Sequence, residues 1–482
     1  MIEERVRSLL QIEYEKRLLI YDTENFVSCF DYVSMLLADG FAVYIYDDIE
    51  RIRYLYETQM RNGNIACAII VTSDIYVPTD IKNSFCNAEI SLKTLYPRMS
   101  TRVLRKYLFD LDLIDRSYDE FERNCVQEER TEYYIAKSSY SESNVSGFIK
   151  DKESEIRVLL SKKPTYSDWI QIAKMNARLE RYACLHHINR NQDFVDDAFR
   201  SFIENGYQKL AGVVSKEAPA ILPKIIDRIA NGNKVALVVV DGMSMFDFEI
   251  LSAYMEEFEY TFGGSFAMIP TITSISRQAL LAGKYPQQLD NPFSLAKEES
   301  GFYAAAQERG YSKTQCFYGR GYSSEPGSMI KIAAIIVNDI DDMVHGQQQG
   351  RMGMYNDVTL WAQEGKLQNL LHRLLNKGFR VYLTADHGNT HCVGKGNIKK
   401  FGVETETKSK RMVVLKDFAN VSEELEERTF EYPGFYMNKN YQYRICKGRT
   451  SFDNKDEDVM THGGITLEEV IVPFVEVRKK NG

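Results

Sequence analysis

The chain has 482 residues, of which 44% are hydrophobic and 27% are charged. This length and composition allow two or three folded domains with apolar cores, and they exclude a collagen-like, mucin-like or wholly disordered protein. The net charge of −8 argues against a protein that binds nucleic acid through a global positive field. Any contact with a polyanion must therefore be local.

The N-terminus and the apolar segments give no indication of export or membrane insertion. The first five residues include acidic side chains with no apolar stretch after them, and the longest apolar runs, such as residues 236–240, have the length of strands. The eight cysteines are scattered without a C-x-x-C pair, which is typical of reduced thiols packed inside a cytosolic protein. We expect a cytoplasmic protein with no membrane contact.

Three regions with different patterns predict three domains. Residues 1–108 alternate short β-type apolar runs with helix-type stretches, which predicts a small N-terminal α/β domain. Its apolar runs are residues 18–21, 42–46 and 66–71. Residues 109–230 follow helical spacing with interspersed charge and predict a helical linker domain. In residues 231–482 strands and helices alternate again, and polar residues follow the strands.

The last region predicts a mainly parallel sheet. Its apolar runs are continuous and most are separated by helical stretches, which is typical of a parallel sheet with helices on both faces. The predicted strands are residues 235–240, 266–269, 333–337, 381–384, 412–415 and 470–475. In such a fold ligands bind beyond the carboxyl ends of the strands, so the residues that follow each strand are the candidates for a site.

Asp, Thr and His recur at these predicted strand ends. The candidates are Asp241, Thr271, Thr273, Asp341, His345, Asp386, His387 and His462. Oxygen and nitrogen ligands that converge in this way suit zinc or another divalent metal. Asp341 and His345 are four residues apart and share one face of a helix, where both can bind one ion. Three Asp and three His exceed one tetrahedral shell but suit two ions about 4 Å apart, an arrangement used for phosphoryl transfer.

Each of these motifs taken alone also has a structural explanation. Asp-Gly after a strand is most often a turn, and His462 beside two glycines fits a flexible connector. His391 is either an additional ligand or a loop histidine in solvent. The basic loop 393–411 either steers a polyanion toward the metal or is a solvated face. Its cationic residues are Lys395, Lys399, Lys400, Lys408, Lys410 and Arg411.

Taken in order, the motifs resemble the PglZ domain of the alkaline phosphatase superfamily over residues 230–478. The resemblance is carried by VVDGMS at 239–244, PTITS at 270–274 with Arg277 and LLAG at 280–283, IDD at 340–342 with His345, TADHG at 384–388, and HGG at 462–464 with EVIVP at 469–473. Residues 17–110 resemble, less closely, the α/β region that precedes this domain in PglZ proteins. The chain is shorter than the large members tied to bacteriophage exclusion.

The resemblance implies a role for each matching position. In the superfamily one zinc ion is held by Asp, His and His, which match Asp341, His345 and His462. The other is held by Asp, the nucleophile, Asp and His, which match Asp241, Thr273, Asp386 and His387. The Pro-Thr-x-Thr segment also resembles the nucleophile turn of nucleotide pyrophosphatase/phosphodiesterases, in which the second threonine attacks, so Thr273 is favoured and Thr271 is the alternative. Two Zn²⁺ ions are implied, with Mn²⁺ or Mg²⁺ as alternatives.

The chemistry of the residues agrees with these roles. A threonine hydroxyl is a poor nucleophile at neutral pH, but a bound metal lowers its pKa. A helix is predicted to begin after Thr273, so that the N–H groups of Ser274 and Ile275 face a transferring phosphoryl group. Arg277, one helical turn further on, either binds a phosphate oxygen or is a surface arginine.

The expected function is therefore a metal-dependent phosphoester hydrolase. The resemblance favours a phosphodiesterase or nuclease that acts on nucleotides or nucleic acid, with a place in bacterial antiphage defence. Two alternatives stay open: a phosphomonoesterase, and a noncatalytic metal-stabilised scaffold whose partners are proteins of a defence complex. A P-loop ATPase is disfavoured because the chain has no G-x-x-x-x-G-K-[ST] motif.

Overall fold

The structure is a computed structural model that divides the chain into two compact units, Met1–Asp151 and Lys152–Gly482. It describes all residues except 1, 23, 25, 27–31, 47, 62–64, 73–74, 122–126, 216–217, 232–233, 399–408, 417–420 and 481–482. The boundary between the units lies inside a long helix, Glu142–Ser161. The three-domain division expected from the sequence stays a prediction.

The first unit contains a parallel sheet of the strands β1 (Arg17–Tyr21), β2 (Ala42–Ile45), β3 (Cys67–Val71) and β4 (Cys86–Glu89), in the order β2-β3-β1-β4. The first three strands match the predicted apolar runs. The fourth was not predicted, because Cys86–Glu89 is an edge strand of mixed polarity with no fully buried residue. The helices are α1 (Ile2–Leu10), α2 (Tyr32–Ala38), α3 (Ile49–Leu55), α4 (Thr79–Asn83), α5 (Leu92–Leu95), α6 (Thr101–Leu104), α7 (Leu111–Tyr118), α8 (Glu128–Tyr134) and α9 (Glu142–Ser161).

The second unit is built around a six-stranded sheet. Its strands are β5 (Val235–Val240), β6 (Phe258–Phe266), β7 (Cys316–Arg320), β8 (Ile332–Val337), β9 (Arg380–Thr384) and a last strand, Ile471–Lys479. The helices are α10 (Tyr166–Leu185), α11 (Asp193–Asn205), α12 (Ile225–Ile229), α13 (Met245–Ser252), α14 (Thr273–Ala282), α15 (Glu298–Glu308), α16 (Asp339–Gly346), α17 (Gly350–Gln363), α18 (Lys366–Asn376), α19 (Glu423–Arg428) and α20 (Leu467–Val470).

This sheet is mainly parallel, as predicted. The neighbours β9, β5, β8 and β7 run parallel in that order, and only the last strand runs antiparallel to its neighbours β9 and β6. Every residue of β5 and β8 is buried, so both faces of the sheet centre are covered. The prediction of a strand at 266–269 is wrong in position, since β6 ends at Phe266. The strand β7 at the sheet edge was missed.

Two small sheets complete the second unit. Their strands are β10 (Thr390–Gly394), β11 (Met412–Lys416), β12 (Thr429–Tyr432), β13 (Tyr441–Cys446), β14 (Thr450–Ser451) and β15 (Asp458–Thr461), and the last strand of the main sheet is β16. The predicted strand at 412–415 exists but pairs with β13 outside the main sheet, because an apolar run does not specify its partner. Among the described residues, no helix is both long and apolar enough to cross a bilayer.

Candidate metal and phosphoryl-transfer site

The register of the main sheet brings three strand ends to the same edge. Val240 of β5 is opposite Val337 of β8, and Val239 is opposite Thr384 of β9. The parallel strands therefore end side by side, and the polar residues that follow them meet at one place. Those residues are Asp241 after β5, Asp341 on the helix after β8, and Asp386 and His387 after β9. His462 reaches the same place from the end of β15, and Thr273 begins α14 beside it.

Two sets of possible metal ligands, called acceptor groups from here on, lie at this place. The first acceptor group is Asp241, Asp386 and His387. All three are buried, and each offers one atom within 4.8 Å of the others. His387 Nε2 lies 3.7 Å from Asp241 Oδ1 and 3.9 Å from Asp386 Oδ2. Asp386 Oδ1 is engaged elsewhere, because it accepts hydrogen bonds from the N–H of Gly242 at 3.2 Å and of His387 at 3.1 Å. The second carboxylate oxygen, Oδ2, is thereby held toward the group.

The second acceptor group is Asp341, His387 and His462, whose ligand atoms also lie within 4.8 Å of one another. His387 thus belongs to both groups, and its ring stacks on that of His462 with the centroids 4.3 Å apart. His345 Nε2 lies 3.5 Å from Asp341 Oδ1, but His345 is not a member of either group. The structure brings the predicted metal ligands together, and the role of His345 stays a prediction.

Backbone carbonyls set the tautomers of the two central histidines. His387 Nδ1 lies 3.0 Å from the carbonyl oxygen of Gly388, and His462 Nδ1 lies 2.9 Å from that of Thr271. A carbonyl oxygen only accepts, so each Nδ1 carries the proton and each Nε2 offers a lone pair. In the neutral rings both lone pairs point toward the cluster, as in metal-bound histidines whose other nitrogen donates to a carbonyl.

Several buried acceptor atoms fit a divalent cation. Within the described residues, Asp241 Oδ1, Asp386 Oδ2 and His462 Nε2 have no hydrogen-bond partner. Burying such acceptors without a donor or a cation is unfavourable. The set consists of carboxylate oxygens and neutral imidazole nitrogens, which are ligands that zinc accepts. The residues present therefore fit a metal centre.

Burial and mutual repulsion shift the titration of this cluster. Burial raises the pKa of Asp386 well above its ordinary value, and the nearby charge of Asp241 raises it further. Burial also lowers the pKa of His462, with a smaller contribution from His387. Without a cation, both shifts favour the neutral form of the group. The positive charge of a bound metal would instead favour the ionised carboxylate of Asp386.

Arg277 is part of the buried site, and the alternative of a surface arginine is wrong. Its guanidinium donates to Asp241 Oδ2 through Nη1 and to Glu298 Oε2 through Nε, the latter at 2.8 Å. Its side chain is only 2% exposed. Burial alone would lower the pKa of Arg277, but the charges of Asp241, Asp386 and Glu298 raise it, so the group stays cationic. Binding of a phosphate oxygen by Arg277 stays a prediction.

The two candidate nucleophiles have different surroundings. Thr273 Oγ1 lies 3.0 Å from His387 Nε2, beside both acceptor groups. Thr271 Oγ1 instead donates to the carbonyl of Gly464 and accepts from the N–H of Gly463. The predicted role for the N–H of Ile275 is not supported, since it donates to the carbonyl of Ile272 at 3.1 Å.

A family model described as the BREX system PglZ alkaline phosphatase-like domain matches residues 223–477. The chain belongs to the PglZ family. No curated protein matches the chain.

Similar solved structures share low sequence identity with the PglZ chain. Murine ectonucleotide pyrophosphatase/phosphodiesterase 5, in an inactive form with AMP, is 12% identical with a TM-score of 0.31, covering 51% of this chain and 88% of that chain. Phosphonoacetate hydrolase from Sinorhizobium meliloti 1021, with phosphonoformate, is 11% identical with a TM-score of 0.33, covering 51% and 90%. Human ectonucleotide pyrophosphatase/phosphodiesterase 5 is 13% identical with a TM-score of 0.28, covering 51% and 88%.

Residues of the predicted basic loop fall into three classes in the PglZ domain. Lys395 and Lys410 are exposed, whereas Lys399, Lys400 and Lys408 lie outside the described residues. Arg411 was expected among the exposed charges of the loop, and this is wrong. It is 1% exposed, and its Nε lies 3.1 Å from Glu469 Oε1. A charge run does not show which of its members a neighbouring buried carboxylate pairs with.

Two other residues bear on the site: His391, which the sequence suggested as an additional ligand, and Glu298, which it did not suggest. His391 is not a member of either acceptor group, and its Nε2 lies 3.1 Å from Asp458 Oδ1. Glu298 was missed as the partner of Arg277, since it lies in a short charged run at the start of α15 that resembles a solvated helix start. Its only indication in the sequence is an acidic residue at a helix start, which is common on protein surfaces.

Proposed function

We propose that this PglZ chain is a metal-dependent phosphoester hydrolase with Thr273 as its nucleophile. The observation that carries the proposal is the 3.0 Å contact between Thr273 Oγ1 and His387 Nε2. His387 is the one residue shared by the two acceptor groups, so the hydroxyl lies where the charge of a bound cation would act on it.

The proposed ligands are Asp241, Asp386 and His387 for one ion and Asp341, His345 and His462 for the other. Zn²⁺ suits this set of carboxylates and imidazoles, and Mn²⁺ or Mg²⁺ are the alternatives. When bound, the metal would supply positive charge that lowers the pKa of the threonine hydroxyl and neutralises phosphate oxygens.

The residues of the chain supply the rest of the proposed reaction. Thr273 Oγ1 forms a bond to phosphorus while the bond from phosphorus to the leaving oxygen breaks, which gives a phospho-threonine and a released alcohol. Water then attacks the phosphorus, the bond from phosphorus to Thr273 Oγ1 breaks, and the phosphate product leaves with the threonine hydroxyl restored. Arg277 donates to Asp241 Oδ2, so its cationic charge orients a carboxylate of the site.

The finer parts of the proposal concern substrate and context. We favour a phosphodiester of a nucleotide or nucleic acid as substrate, because the Pro-Thr-x-Thr turn resembles that of phosphodiesterases. A phosphomonoester is the alternative. The description of the family as a BREX system domain supports a place in antiphage defence, with protein partners and a cytoplasmic location.

The test is metal analysis together with hydrolysis assays on the purified full chain. Wild type and Thr273→Ala are compared on bis-p-nitrophenyl phosphate and on p-nitrophenyl phosphate. We expect Thr273→Ala to keep its metal and to lose turnover by roughly 10³-fold or more. Equal rates for the two proteins would exclude Thr273 as the nucleophile.

The alternative of a noncatalytic scaffold predicts a different outcome. A scaffold would bind metal but hydrolyse neither substrate, and Thr273→Ala would leave it unchanged. The contact between a hydroxyl and the shared histidine favours the enzyme, because a purely structural metal site has no need of a hydroxyl beside its ligands.

A further inference from the structure

Thr271 makes three hydrogen bonds to the turn that carries His462. Its hydroxyl donates to the carbonyl of Gly464 at 3.0 Å and accepts from the N–H of Gly463 at 3.0 Å. Its own carbonyl accepts from His462 Nδ1 at 2.9 Å. Thr271 is completely buried. One residue thus contacts all three members of a turn that lies far away along the chain.

A buried ion pair also holds this turn. The N–H of Gly464 donates to Glu469 Oε1 at 2.8 Å, and the same oxygen lies 3.1 Å from Arg411 Nε. A Cβ atom on Gly464 would lie 2.5 Å from Arg411 Nη2, so the packing leaves no room for a side chain. The turn is therefore held both by Thr271 and by the Arg411–Glu469 pair.

The contacts of Thr271 with this turn determine where His462 Nε2 points. That atom is buried and has no hydrogen-bond partner among the described residues, and it belongs to the second acceptor group. The direction of an imidazole is set by the bond of its other nitrogen and by the backbone that carries it. Here Thr271 supplies both, the first through its carbonyl and the second through its hydroxyl.

We infer that Thr271 is a positioning residue that aims His462 at a metal ion and couples this ligand to the nucleophile. Thr271 lies two residues before Thr273, so the segment that presents the proposed nucleophile also holds the ligand. The inference rests on the proposed function, since it requires a metal at the second group. It also gives Thr271 a role other than that of the alternative nucleophile.

The test compares Thr271→Val, which removes the hydroxyl at nearly constant volume, with Thr271→Ala and Thr271→Ser. Thr429→Val is the matched control, because Thr429 is also buried and its hydroxyl donates to the backbone carbonyl of Leu425. Metal affinity is measured on each folded protein by competition with a chromophoric zinc chelator. The visible spectrum of the Co²⁺-loaded protein reports the geometry of the ligands.

We expect Thr271→Val and Thr271→Ala to lower the affinity for one of two zinc ions by roughly 10- to 100-fold and to alter the Co²⁺ spectrum. Thr271→Ser should bind zinc like wild type, and Thr429→Val should change stability only. Hydrolysis by Thr271→Val should return at saturating zinc, which would not happen if Thr271 were the nucleophile.

Three results would overturn the inference, and they are distinguishable from one another. Wild-type affinity and spectrum in Thr271→Val and Thr271→Ala would contradict the positioning role alone. A wild-type protein that binds no metal would contradict the proposed function and this inference with it. A loss in Thr271→Ser equal to that in Thr271→Val would also count against a role for the hydroxyl.

Discussion

Thr273 Oγ1 and His387 Nε2 lie 3.0 Å apart although 114 residues separate them in the chain. The contact forms because Thr273 begins α14 while His387 follows β9, and both the helix start and the strand end lie at the carboxyl edge of the main sheet. The structure thus places a hydroxyl against the residue that the two acceptor groups share.

His387 should be required for full metal content, because its Nε2 lies within reach of the other ligand atoms of both acceptor groups. We expect His387→Ala and His462→Ala each to lose about one zinc ion, as measured by elemental analysis after dialysis. His391→Ala is the matched control, since His391 hydrogen-bonds to Asp458 outside both groups. Full zinc content in His387→Ala would show that the groups are not the metal site.

Removal of Arg277 should destabilise the protein through Asp241 and Glu298. Both carboxylates are buried against its guanidinium, and deleting one partner of a buried ion pair costs roughly 3–5 kcal/mol. We expect this loss in the free energy of unfolding of Arg277→Met, measured in metal-free protein. In a Glu298→Gln background the same substitution should cost less. An equal cost in both backgrounds would mean that the two residues are not coupled.

Gly388 should not tolerate a side chain, because the backbone of Glu468 packs directly on it. A Cβ atom there would lie 1.9 Å from the carbonyl oxygen of Glu468. We expect Gly388→Ala to lower the free energy of unfolding by roughly 3 kcal/mol or more and to weaken metal binding through the adjacent His387. Gly327→Ala, where a Cβ atom meets nothing within 4 Å, should leave both unchanged. A stable Gly388→Ala protein with full metal content would contradict the packing.

Asp247 should make stability depend on pH in mild acid. Burial raises the pKa of its carboxyl from 3.8 to about 6, although hydrogen bonds from Ser244 and Asn389 partly oppose this. Because the pKa is raised on folding, the contribution of Asp247 to stability is present below pH 4 and is lost as the pH rises through about 6. The loss is on the order of 3 kcal/mol.

The variant Asp247→Asn should lack this dependence, because its amide does not titrate. We expect the difference in melting temperature between wild type and variant to change in favour of the variant from pH 4 to pH 7.5. Both proteins are first stripped of metal with a chelator, so that metal ligands do not contribute to the difference. Parallel pH curves for the two proteins would exclude Asp247 as the cause.

Much of the main sheet could be predicted because its central strands are continuous apolar runs. Val235–Val240 and Ile332–Val337 are buried along their whole length, and this is visible in their composition. The edge strand Cys316–Arg320 was missed because it is half-buried and mixed in polarity. The run Met412–Lys416 was recognised as a strand, but its sheet was not, since pairing depends on residues distant in sequence.

The residue types that follow the strands were enough to indicate a set of metal ligands, because parallel strands end at the same edge of a sheet. The sequence did not reveal that His387 would be shared, that Thr271 would hold the His462 turn, or that Arg277 and Arg411 would be buried against carboxylates. These features depend on side-chain direction and on contacts between residues that are distant in the sequence. Chemical identity is local to each residue and can be read along the chain, whereas the distance between two such residues is decided only when the whole unit packs.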